Sequence, residues 1–227
     1  MKPVLIFGAG QVAEVFAEAL AINNYTVAAF VVDERYMPEK QPEPSYFDVM
    51  AQRRNISFEK IREEYRPNEA RFIVGMSFRG LNALRVGKFS AMFAKGYEPL
   101  TFVDQSARGT PSVKIGRGSF IMDGNVIQTG AEIGENCVLW SSNHVGHHSK
   151  IGNNVWISSG VVVSGGVEIG DNCFIGSGAT IRDNIKIGRR CVIGAGAIID
   201  RDCEDDGVYK PIATERSRVP SSRLRGI

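Results

Sequence analysis

The chain has 227 residues, 43% of them hydrophobic and 23% charged, with 27 Lys and Arg against 25 Asp and Glu. That length and apolar content suit one or two folded domains and exclude a chain disordered throughout. A formal charge of only +2, with no long run of one sign, argues against nucleic acid or an anionic bilayer as the partner.

The first segment, Met1-Lys2-Pro3-Val4-Leu5-Ile6-Phe7, is apolar for four residues before Gly8. This is too few for a secretion signal or a spanning helix, so a cytoplasmic protein without membrane insertion is expected. Residues 4–13 read as a buried strand, a glycine turn and a helix start that continues to about residue 22. The turn, Gly8-Ala9-Gly10-Gln11-Val12-Ala13, fits G-x-G-x-x-A. A second strand over 27–32 ends at Asp33-Glu34, where a Rossmann-type acid would meet a ribose.

This order predicts an α/β Rossmann-like domain over 1–103 that takes a phosphate at the helix N-terminus. Gly8, Gly10 and Gln11 are its candidate phosphate contacts, and Asp33 is the candidate ribose contact. The competing reading is an α/β cap that only packs. A strand over 71–75 then leads into a helix ending near Gly96, and 100–103 is expected to close the sheet. Residues 104–114, with Gly109 and Pro111, read as a linker. About 100 residues without a second α/β half disfavour a nicotinamide dehydrogenase.

From Ile115 to Ile199 every sixth residue is a branched aliphatic, fifteen in succession. The residue two places earlier is mostly small, and all four cysteines (Cys137, Cys173, Cys191, Cys203) share that phase. Buried small side chains therefore explain the cysteines better than a metal site or a disulfide. Ile-Gly pairs at 115, 133, 151, 169 and 187 recur every 18 residues. Three sides of six residues make one coil, coils stack ~4.8 Å apart as paired strands do, and each buries its aliphatics only against its neighbours. A parallel β-helix over 115–207 is predicted, with 208–227 folding back as a C-terminal cap or tail.

The repeat, an aliphatic followed by Gly with a small residue in the fifth place, resembles that of the hexapeptide-repeat acyltransferases. With the short Rossmann-like domain it is similar to the branch of sialic acid O-acetyltransferases and of bacillosamine and perosamine N-acetyltransferases. The resemblance implies an all-β left-handed helix, a homotrimer with active sites at subunit interfaces, and acetyl-CoA as acyl donor. It also implies a nucleotide-linked amino-deoxy sugar as acceptor, in surface polysaccharide biosynthesis. Where these relatives usually carry Gly-Gly-His after the glycine turn, this chain has Gly10-Gln11-Val12-Ala13-Glu14.

All three histidines lie in Asn143-His144-Val145-Gly146-His147-His148. In the related enzymes the catalytic base is a His five residues before the Gly of an Ile-Gly pair. His147 holds that place relative to Gly152, and a neutral imidazole can take the proton that an attacking amine or hydroxyl sheds. Relatives often follow the base with an acidic residue that orients it, whereas this chain has His148; His148, His144, a backbone carbonyl or a neighbouring subunit must then serve. His144 and Asn143 are candidate acceptor contacts.

One coil after His147 stands Gly165, whose bare backbone N–H would serve the thioester oxygen. Ser177 and Ala195, one coil apart, match positions where relatives bind the pantetheine arm through the backbone. Arg182, Lys186, Arg189 and Arg190 are expected either to meet CoA phosphates or to form a solvated face. Two alternatives remain at this stage. The same base and thioester would serve O-acetylation of a sugar, and a non-catalytic or metal-binding β-helix is the rival of another class. Three bunched histidines, with none at 162 or 165, fit a metal centre poorly, and no metal is expected.

Overall fold

A computed structural model describes residues 2–38 and 54–223. The first unit is a five-stranded parallel sheet in the order β3-β2-β1-β4-β5. Its strands are β1 (Val4–Phe7), β2 (Val27–Val32), β3 (Asn55–Ser57), β4 (Arg71–Val74) and β5 (Glu98–Pro99). Helix α1 (Gln11–Ile22) links β1 to β2, the short α2 (Ile61–Glu64) follows β3, and α3 (Ala83–Ala94) links β4 to β5. Val4, Leu5 and Ile6 are fully buried, as continuous apolar runs in a sheet covered on both faces require. The order reverses between β1 and β4, which opens a crevice at their C-terminal ends. Gly8 and Gly75 line it. A methyl on Gly8 (φ +114°) would lie 2.8 Å from the Gly75 carbonyl oxygen, so the first turn meets the second only because Gly8 has no side chain, while a methyl on Gly75 would strike Ile6 and Ala13.

The second unit is a left-handed β-helix whose three faces are parallel sheets of two-residue strands. Face I runs from Phe102–Val103 to Val208–Tyr209, face II from Arg108–Gly109 to Ile198–Ile199, and face III from Lys114–Ile115 to Lys186–Ile187. The repeating aliphatics form one continuous column, with Val145, Ile157, Val163 and Ile175 fully buried.

The stacked coils begin before the aliphatic run. Phe102–Val103 pairs with Phe120–Ile121 on face I, and Arg108–Gly109 pairs with Val126–Ile127 on face II. Strand β5, paired with β4, closes the α/β sheet at Glu98–Pro99. This corrects the expected closure at 100–103. The shift has a plain cause, since Leu100 N–H donates to Phe72 O as the chain leaves the sheet and Phe102 N–H donates to Ser119 O as it enters the helix. At the other end Val208–Tyr209 pairs with Val192–Ile193 and covers the last coil. Residues 211–223 are each exposed, Ile212 by 99%.

The small position carries hydrogen bonds as well as volume. Ser119, Cys137, Ser149, Cys173 and Cys191 each donate to a carbonyl of the next turn of the prism, at 2.7–3.0 Å. Burial pushes the Cys137 thiol up to about 11, so it stays protonated and able to donate.

The units are joined through face I, whose outward ladder reads Phe102, Phe120, Val138, Trp156, Phe174, Val192. Helix α1 lies on it, with Phe16 stacked on Phe120 (centroids 3.7 Å apart). Phe78, in the loop after β4, packs on Phe174 at 4.3 Å and Trp156 at 5.5 Å. Arg85 of α3 is sealed in the same contact, donates to Asn136 Oδ1 at 2.9 Å, and is held down to about 10 by loss of solvation.

Candidate active site

The edge between faces II and III is built from 129–130, 147–148, 165–166 and 183–184, one coil apart. His147 and His148 form one of its steps and are exposed; His148 adopts φ +58°. This left-handed corner turns the two rings toward each other, with His147 Nδ1 3.2 Å from His148 Nδ1. Gly130 makes room for the second ring, since a methyl there would lie 2.8 Å from His148 Cδ2. Gln128 Oε1 accepts from the His147 backbone N–H at 3.0 Å. With its own proton on Nδ1, His147 donates to His148 and leaves Nε2 bare.

Gly165 lies directly against that imidazole: a methyl on it would be 2.6 Å from His147 Cε1 and Nε2. Gly166 N–H donates to the His147 carbonyl at 2.8 Å and locks the two coils together. The Gly165 N–H itself has no acceptor among the described residues. The edge therefore presents a proton acceptor beside an unused backbone donor, the pair that addition to a carbonyl requires.

The other expected residues are distributed over the prism. His144 stands on face II between Val126 and Val162 in register. Asn143 does not join the histidines: it is 1% exposed, donates to Trp140 O and accepts from Val161 N–H. This corrects its expected role as an acceptor contact, because its side chain is already spent inside the coil. Ser177 and Ala195 are exposed one coil apart on the edge between faces I and II. They bound face II on the side opposite His147 and Gly165. Among the described residues, no group of three or more His, Cys, Asp or Glu side chains is placed to hold a metal ion.

Gly8, Gly10 and Gln11 sit at the crevice of the α/β sheet, with Gly8 N–H donating to Val31 O. Gly10 caps α1 with extended backbone. Asp33 ends β2 at the same edge of the sheet, where Lys88 of α3 holds one of its carboxylate oxygens. Two features of this region escaped the sequence reading. Gly75 forms the second wall of the crevice, and the 18-residue aromatic ladder from Phe102 to Phe174 could have been found by the count that found the aliphatics.

The family described as bacterial transferase hexapeptide (six repeats) matches residues 112–147, 148–183 and 169–201. Residues 112–201 are thus similar to that transferase family. Solved structures extend the likeness across the chain. The acetyltransferase domain of PglB from Neisseria gonorrhoeae, in complex with acetyl coenzyme A, is 25% identical, with 92% of this chain and 96% of that one covered at a TM-score of 0.79. Perosamine N-acetyltransferase from Caulobacter crescentus, solved with CoA and GDP-perosamine, is 24% identical over 92% and 94% at a TM-score of 0.80. WeeI from Acinetobacter baumannii shares the fold at 17% identity, with 92% and 96% covered and a TM-score of 0.78. No protein of curated function matches in sequence. The family match over the repeats and the likeness to the PglB acetyltransferase domain together support a hexapeptide-repeat acyltransferase. Among the described residues no helix is long and apolar enough to cross a membrane.

Proposed function

We propose that this enzyme transfers the acetyl group of acetyl-CoA to the amino group of a nucleotide-linked amino-deoxy sugar, with His147 as general base. The observation that carries the reading is the contact of the His147 imidazole with Gly165, whose N–H is unspent. The amine lone pair attacks the thioester carbonyl as Nε2 takes the amine proton, and the Gly165 N–H donates to the developing oxyanion. Collapse expels the CoA thiolate, which takes the proton back from the imidazolium. The amide forms directly, with no acyl-enzyme. His148 keeps the His147 proton on Nδ1 in place of the usual carboxylate.

The site is shared between copies of the chain. The α/β unit packs on face I, whereas His147 lies on the edge opposite that face. A nucleotide at Gly8, Gly10 and Gln11 and a sugar at His147 are therefore on opposite sides of one prism. A homotrimer, with each active site between two copies, brings one copy's crevice to the next copy's edge. Face II, bounded by the His147 edge and the Ser177 and Ala195 edge, supplies the contact and the groove for the pantetheine arm.

The test is CoA release from acetyl-CoA with UDP-, GDP- and dTDP-linked amino-deoxyhexoses, following a thermal-shift screen for the nucleotide. Turnover with one of them, yielding a base-stable amide, supports the reading. A base-labile product would mean ester formation and O-acetylation. His147→Ala should lower kcat by about 10²- to 10⁴-fold, and activity within a few-fold of wild type would remove His147 from the mechanism.

A further inference from the structure

We infer that Arg108 binds the phosphate next to the sugar of the acceptor, which would make it the residue that selects an activated sugar over a free one. The inference rests on the acceptor proposed above. The outward ladder of face II reads Arg108, Val126, His144, Val162, Thr180, Ile198. Arg108 is its only permanently charged member. Its inward neighbour, Gly109, stands where the later coils carry an aliphatic. The side chain is exposed and has no ion-pair partner among the described residues. An unpaired cation at the head of an otherwise uncharged ladder contributes nothing to the fold that a neutral residue would not.

Arg108 and His147 line one cavity of about 470 Å³, together with Thr110, Gln128 and Thr129. This cavity opens on the N-terminal side of the imidazole, while Gly165 occupies the C-terminal side. If the thioester lies against Gly165, the acceptor must approach from the cavity. Besides the imidazole, its polar side chains are one guanidinium, two hydroxyls and an amide, and the amide oxygen of Gln128 is already taken by the His147 N–H. There is no carboxylate, so the pocket favours a ligand with a neutral polar body and an anionic end. Arg108 pairs in register with Val126, and Val126 with His144. Two strand spacings set the strands of Arg108 and His144 about 10 Å apart. His147 follows His144 at the edge of the same face, so a hexose ring lying over Val126 in the cavity, with its amino group at the imidazole, would turn its anomeric phosphate toward the guanidinium, a planar fork suited to phosphate.

The test compares wild type, Arg108→Met and Arg108→Lys, using acetyl-CoA with UDP-, GDP- and dTDP-linked amino-deoxyhexoses and with the methyl glycosides of the same sugars. We expect Arg108→Met to raise KM for the nucleotide-linked acceptor about 10- to 100-fold, the range for loss of a charged hydrogen bond. KM for acetyl-CoA and for the methyl glycoside should stay within about two-fold, and Arg108→Lys should recover part of the loss. An unchanged KM, or equal losses with glycoside and nucleotide-linked sugar, would overturn the inference. So would a fall in oligomer mass on sedimentation, which would assign Arg108 to a subunit contact. If wild type acetylates none of the nucleotide-linked sugars, the acceptor reading itself fails; if it does and Arg108→Met behaves identically, only this inference fails.

Discussion

A methyl group at residue 165 would press on the imidazole of His147 from 2.6 Å, and its nearest neighbours are the ring atoms Cε1 and Nε2. Gly165 has no left-handed backbone to protect, so alanine there is conformationally allowed and its cost falls on the ring. Gly165→Ala should lower kcat by at least about 10-fold while the melting temperature stays close to wild type, because a displacement of an ångström at the reacting atoms is enough to lose that much. Steady-state CoA release and a thermal melt on one preparation check both halves. Wild-type kcat would mean that the base is not at this position. The contact of 147 with 165 was legible in the sequence because an 18-residue coil fixes which residues stack. The pairing of His147 with His148 was not, since it depends on the left-handed corner at His148 and on the missing side chain at Gly130. Asn143 misled for a related reason: an amide at the small position can turn inward and satisfy the coil, and composition does not show which way it points.

At the scale of the coil, the inward small residues form a hydrogen-bonded column. Ser119 Oγ donates to Gly134 O at 2.7 Å and accepts from Cys137 N–H at 2.9 Å, with the side chain fully buried. Ser119→Ala leaves a buried donor and a buried acceptor without partners, at a cost of about 1–3 kcal/mol. Ser119→Cys should cost less, since Cys137 itself donates to Gly152 O from the equivalent place in the next coil. Chemical denaturation of the two variants measures the difference, and equal midpoints would show that volume alone matters there. The sequence revealed this phase through its four cysteines and several serines, although it read as filling. The hydrogen bonds emerge only when the coil is closed and the carbonyl fifteen residues on comes within reach.

At the scale of the molecule, the three outward ladders divide the work. Face I is aromatic and buried by the α/β unit. Face III alternates Lys114, Glu132, Lys150, Glu168, Lys186, with ion pairs at 2.9 Å and 3.5 Å at its two ends, as a solvent-facing ladder does. Face II keeps Val126, Val162 and Ile198 at 40%, 38% and 78% exposed, apolar area that a monomer gains nothing by leaving in water. These ladders are written in the sequence at the same interval of 18 residues as the aliphatic core, but only the coil shows which of them points outward.

If face II is the contact between copies, a charge at its far end should break the assembly without touching the histidines. Ile198 is three coils beyond His144 in register. Ile198→Glu should therefore reduce the sedimenting mass from trimer toward monomer, leave the circular dichroism of the β-helix intact, and abolish turnover per chain, because one copy's crevice no longer meets the next copy's His147. A trimer that survives the substitution would place the interface elsewhere. An active monomer would show instead that a single prism carries a complete site, and that the acceptor reaches His147 without the nucleotide crevice of a neighbour.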